Sequence, residues 1–188
     1  MMNTTSIYQF VDATLEQMKA ADMMQLPIRD LAWEMLDTES QPMEGFITWK
    51  PVAGAVTDLD IAEVEKAVGF RLPESYKAFL KYKHFYELYS PEAEEVRFFP
   101  HPIHSWKEEL IRNYTTGLNK DRLLPNGYLP FADHYDWGAL CFDTNYASDN
   151  NEYPVVLIEF EKVDIDPVPA APFNAHFIEM IESRLLKT

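Results

Sequence analysis

The stretch richest in groups that could do chemistry is Asp133-His134-Tyr135-Asp136-Trp137-Gly138. An imidazole beside a carboxylate can act as a general base, so a hydrolase using His134 with its neighbouring carboxylates is one reading. Two features weigh against it. No Ser stands in a G-x-S-x-G setting, and consecutive residues on an extended chain point to opposite faces, which separates Asp133 from His134. The lone cysteine, Cys141, lies in the apolar run Ala139-Leu140-Cys141-Phe142, where a thiol is an inert core group rather than a nucleophile. His101 and His104, in HPIHSW, invite a metal reading with Asp133, His134 and Asp136 as further ligands, because imidazole and carboxylate suit zinc. Pro102 interrupts the step between the two histidines, and no H-x-x-x-H falls on a helix, so no metal site is expected. With no Walker loop, no G-x-G-x-x-G and six glycines in all, no cofactor is expected and the chain does not read as an enzyme.

Charge points elsewhere. The chain carries 31 acidic and 16 basic residues, a formal net charge of −15. That argues against nucleic acid and against an anionic membrane surface, both of which need a basic face. A basic protein partner is favoured instead, because complementary charge raises the encounter rate. The acidic loops are Glu92, Glu94 and Glu95, then Asp133 and Asp136, then residues 143–152 beginning with Asp143. By default these are solvated charge. If they gather on one face with Tyr135, Trp137 and Tyr146, they make an acidic surface with aromatic anchors, suited to a basic protein such as a nuclease.

The elements that must position these residues follow from periodicity. Residues 6–21 read as a helix with Ile7, Phe10, Val11, Leu15 and Met18 on one face. Pro27 opens a second helical stretch through Leu36, with Leu31, Trp33 and Met35 as candidate buried residues. A short strand is expected over residues 45–50. Residues 58–85 read as two amphipathic helices: Thr57 and Asp60 form the N-terminal box, Gly69 closes the first helix and Pro73 opens the second. A loop is expected over 86–95, and strands over 96–99, 128–132, 138–142 and 153–160. The third of these, 138–142, nearly all apolar, is expected to be buried on both faces. Ser105-x-x-Glu108 spells a capping box, residues 115–126 a polar loop, 144–152 a surface loop and 162–172 an extended connection. The last helix is placed over 175–186 with Asn174 as its N-cap. The sum is α+β: a single mixed or antiparallel sheet of about four to six strands with helices packed on it. Residues 1–44 read as a helical extension packed on a core domain of residues 45–188.

A family resemblance rests on three sets of residues. The first is Ile61, Glu65, Gly69, Leu72, Pro73, Tyr76, Phe79 and Leu80: an acidic helix, a hydrophobic-Gly turn, Leu-Pro, then Ser-Tyr-x-x-Phe-Leu. The second is Leu129-Pro130-Phe131-Ala132 followed by Asp136-Trp137-Gly138 and Cys141-Phe142-Asp143, and the third is Pro154-Val155-Val156. In this order and spacing they resemble the SUKH superfamily, the Smi/Knr-like group of fungal cell-wall-synthesis regulators and bacterial immunity proteins. Where such proteins often carry Asn-Gly-Gly after the second helix, this chain has His84-Phe85-Tyr86, so the turn there must be built differently.

The resemblance implies an α+β domain that binds proteins without chemistry, in bacteria an immunity protein that neutralises a cognate toxin. A regulatory or scaffold role, recruiting cellular partners, is the alternative it implies. The N-terminal stretch lacks a basic region followed by an apolar core, so no secretory signal is expected. With one cysteine and no long apolar run, a reducing cytoplasm is the expected compartment.

Overall fold

Apolar residues at three- and four-residue steps build α1 (Thr5–Ala20), whose face of Ile7, Phe10, Val11, Leu15 and Met18 is buried. The computed structural model describes residues 4–90, 95–146 and 151–186. The stretch after α1 differs from the expected second helix. It forms strand β1 (Gln25–Pro27) and two separate 3-10 turns, Ile28–Asp30 and Trp33–Met35. β1 pairs antiparallel with β2 (Phe46–Thr48), and this pairing overrides the local helical pattern. Met35 is buried there, Leu31 is half-buried, and Trp33 is 79% exposed.

β3 (Val52–Ala53) pairs with β4 (Lys83–His84), and the two-helix unit lies between them. α2 (Asp58–Val68) starts in a complete box. Asp60 N–H donates to Thr57 Oγ1 at 3.2 Å, and Thr57 N–H donates to Asp60 Oδ2 at 3.0 Å. The Thr57 hydroxyl and N–H, with Lys107, hold the Asp60 carboxyl at about 2. Gly69 ends α2 in the left-handed conformation, φ +79°, where other residues are strained. α3 (Glu74–Tyr82) follows Pro73, which occupies the N-cap position rather than the first helical one. After α3 the His84-Phe85 departure is accommodated by extended chain: β4, then a bridge from Phe85 to His101, with both His84 and Phe85 buried.

The main sheet is six-stranded and antiparallel, in the order β10-β9-β8-β7-β6-β5. Its strands are β5 (Leu88–Ser90), β6 (Val96–Phe98), β7 (Tyr128–His134), β8 (Gly138–Asp143), β9 (Val155–Glu159) and β10 (Ala171–Asn174). Both edge strands, β5 and β10, lie where a loop and an extended connection were expected. They are short and hold proline or polar residues, and only pairing with a neighbour makes them strands. β8 is buried along its whole length. Leu140 and Phe142 point into the main core, while Ala139 and Cys141 point into a second, smaller cluster with Leu123, Val156, Ile158 and Val168.

α4 (Trp106–Thr115) lacks the expected capping box: the Ser105 hydroxyl donates to Glu109 instead of accepting a backbone N–H. The expected polar loop after it holds a π-helical turn, Asn119–Leu123, and a 3-10 turn, Leu124–Asn126, which put Leu123 under the outer sheet face. α5 (Phe177–Met180) continues into a π-helical turn, Ile181–Leu185. Asn174 ends β10 rather than capping this helix; its side-chain oxygen accepts from Arg184 Nε at 2.7 Å. The core between the sheet and α1, α3 and α5 is built on rings. Phe177 meets Tyr76, Phe79, Phe98, Phe131 and Phe142, and Phe10 of α1 meets Phe98 at 5.7 Å. The architecture is α+β.

Candidate functional site

Three residues, 135–137, join β7 to β8, since His134 pairs with Gly138. Tyr135 adopts a left-handed φ of +50°, uncommon for a residue with a side chain. The loop is pinned on both flanks. Tyr135 N–H donates to Glu95 O at 2.9 Å, and Trp137 O accepts from Phe160 N–H at 2.9 Å. Gly138 is required by close approach: a Cβ there would lie 2.9 Å from Leu157 Cδ1 and 3.0 Å from Ile158 O.

The pinned loop presents an aromatic ledge. The Tyr135 and Trp137 rings lie within 7° of parallel, with centroids 6.2 Å apart. They are 39% and 44% exposed. His134 is buried beneath them, its ring edge-on to Tyr135 at 4.7 Å, Trp137 at 5.2 Å and Phe173 at 5.3 Å. The imidazole is thus part of the floor under the ledge, away from solvent.

Acidic groups surround the rings. Asp136 is exposed between them, and Glu95 is half-buried beside Tyr135. On the outer sheet face the register aligns Tyr89, Arg97, Asp133 and Ala139 across four strands. The Arg97 guanidinium lies 5.7 Å from the Tyr89 ring centroid. Burial pushes the Asp133 carboxyl above the usual carboxylate range; the Arg97 charge opposes this and the Asp136 charge adds to it. Burial also raises the Tyr89 phenol, with Glu95 adding to the shift.

Of the nominated residues, Glu95, Asp133, Tyr135, Asp136 and Trp137 come together here. Asp143 and Tyr146 do not. They stand at the opposite end of β8, roughly 17 Å away at about 3.4 Å per residue. Asp143 is buried and accepts from its own loop, from Asn145 N–H at 3.1 Å and Nδ2 at 2.9 Å. Tyr146 is 69% exposed. Glu92 and Glu94 lie outside the described residues. Arg97 and Tyr89 belong to the site and were not nominated. Their signal is the period-two alternation with buried Val96, Phe98, Leu88 and Ser90, which places them together on the outer face.

His101 and His104 go separate ways. His101 is buried and stacks on His84 with centroids 4.7 Å apart, whereas His104 Nε2 meets Glu34 Oε1 at 2.8 Å on the surface. Among the described residues no three His, Cys, Asp or Glu side chains gather as a metal site. No helix of the described residues is long and apolar enough to cross a membrane.

No curated protein matches this sequence. A sequence model of the SMI1 / KNR4 family (SUKH-1) matches residues 55–183, from the loop before α2 to the last turn after α5. The match includes the two-helix unit, the whole six-stranded sheet and the aromatic ledge, well over half of the chain, and on that extent the chain belongs to the SMI1 / KNR4 family (SUKH-1).

Proposed function

We propose that this chain is a non-catalytic binding protein that neutralises a cognate toxin, a basic polypeptide, by direct contact. Domains of this family are generally non-catalytic binding proteins. The observation that carries the reading is the ledge: two exposed, parallel rings pinned in a strained loop, with Asp136, Glu95 and Asp133 around them, on a chain of net charge −15. Rigid aromatic anchors lose little conformational entropy on binding and dominate interface energies. The surrounding carboxylates add attraction and orientation toward a basic surface. A nuclease is the class of toxin that fits best, because its own phosphate-binding site must be basic.

The test is capture with the tagged full-length chain from cells expressing the neighbouring reading frames, at low and at moderate salt. The reading requires one basic polypeptide whose toxicity this protein relieves. Recovery of several housekeeping proteins with no effect on toxicity would move the function to recruitment of cellular partners.

A further inference from the structure

The outer sheet face stays open beyond Asp133. There a cleft of about 360 Å³ lies between the arm that follows β1 and the first turns of α4. Its floor is apolar, with Leu26, Phe99 and Pro102 contributing. Its rim carries four carboxylates, Asp30, Glu87, Glu109 and Asp133, and one cation, Arg97. No described cation closes a salt bridge on Glu87, Glu109 or Asp133; Asp30 has the exposed Arg29 at 3.7 Å. Asp133 and Arg97 stand opposite one another in β7 and β6, and both line the cleft, Asp133 two residues before Tyr135 in the chain.

We propose that this cleft receives a Lys or Arg side chain of the bound polypeptide. The aliphatic stem lies on the apolar floor and the charged head stands among the carboxylates. The inference rests on the proposed function in that the partner is a basic polypeptide. A long cationic side chain has the matching chemistry, an apolar stem and a charged end. Concave walls of low dielectric concentrate the field of the rim, so the attraction is screened less than at an open surface. Burial leaves the Asp133 carboxyl short of compensating positive charge, and an arriving cation supplies it. Arg97 is the one rim group of the wrong sign. It gives the inference a direction-sensitive test, because its removal must strengthen binding.

The experiment is titration of the full-length ¹⁵N-labelled chain with hexa-arginine, hexa-lysine and a neutral glycine-serine peptide, read by amide shifts. Both cationic peptides are expected to shift amides around Phe99, Glu109 and Asp133. The Glu87→Gln, Glu109→Gln double variant is expected to raise Kd roughly fivefold, about 1 kcal/mol, and Arg97→Gln to lower it roughly threefold. Shifts spread evenly over the acidic surface, or a Kd unchanged in the double variant with its thermal unfolding intact, would overturn the inference. The two readings fail separately. Toxin capture that survives loss of the cleft's peptide binding sinks this inference alone, whereas cleft binding without any toxin capture supports it and sinks the proposed function.

Discussion

The Glu152 carboxylate caps α3 from 77 residues away, accepting from Ser75 N–H at 2.8 Å and from Ser75 Oγ–H at 2.6 Å. Both residues are buried. Pro73 stands at the N-cap position and has no side chain able to accept a first-turn N–H, so the loop before β9 supplies the acceptor. The carboxylate also sits at the positive end of the helix. Glu152→Ala leaves the Ser75 donors unpaired in a buried site and is expected to lower unfolding free energy by about 2–3 kcal/mol. In a double-mutant cycle by urea unfolding, Glu152→Ala and Ser75→Ala are expected to couple by about 1 kcal/mol or more. Simple additivity would mean that the contact contributes nothing specific.

A second buried pair makes stability depend on pH. Ala55 N–H donates to His84 Nε2 at 3.1 Å, so the neutral His84 ring carries its proton on Nδ1. That N–H lies between two acceptors, His101 Nδ1 at 3.0 Å and the His101 carbonyl oxygen at 3.2 Å, and the first contact is favourable only while His101 Nδ1 carries no proton. Adding a proton to His101 sets two N–H groups against each other. Burial lowers the pKa of both rings below the usual 6.5, for His101 well below, and the charge of His84 adds to the shift at His101. The unfolded chain therefore binds more protons below about pH 6.5, and stability is complete above that value and lost as pH falls toward the folded values. Unfolding free energies from urea titration are expected to agree at pH 8.5 and 7.5 and to drop at 5.5, by roughly 1 kcal/mol or more. His101→Leu is expected to flatten the drop. The Asp60 carboxyl, held at about 2, acts only at lower pH and does not confuse this window.

Gly138 tests whether the ledge depends on a close-packed strand start. Gly138→Ala forces the methyl against Leu157 and the Ile158 carbonyl. A loss of about 1–3 kcal/mol is expected by thermal or urea unfolding, together with broadened Trp137 indole signals as the loop shifts. An unchanged unfolding midpoint would show that the strand yields freely.

Much of this fold is readable from local sequence because the deciding interactions are local. Thr57, Asp60 and Gly69 mark α2 through bonds within its own ends, and the apolar run 139–142 marks a strand covered on both faces. What sequence misplaces is decided by distant partners. β1 and β10 exist because β2 and β9 accept them, and the 144–152 loop ends in Glu152, a buried cap on a helix far away in the chain. The site divides in the same way. The 135–137 loop and its acid are contiguous, so they are legible together. Asp143 lies at the other end of the same strand, and no periodicity reveals that it is turned inward onto Asn145.

The ledge rings contribute little to the fold itself. Tyr135→Ala and Trp137→Ala are each expected to change unfolding free energy by about 1 kcal/mol or less. Each is expected to weaken partner binding by about 2 kcal/mol, near thirtyfold. Asp136→Asn is expected to reduce the association rate and its salt dependence more than the dissociation rate, as a rim charge does. Stopped-flow association at two ionic strengths separates these effects.

The most direct test of the account is the affinity of the captured basic polypeptide for the wild-type chain and for the Tyr135→Ala, Trp137→Ala double variant, measured side by side at low and moderate salt with both proteins shown to be folded. The account predicts tight wild-type binding that weakens with salt, and loss of binding by the double variant at either salt, with toxicity no longer relieved. Equal affinity for the two proteins, or toxicity relieved equally by both, would contradict the claim that the ledge is the binding surface.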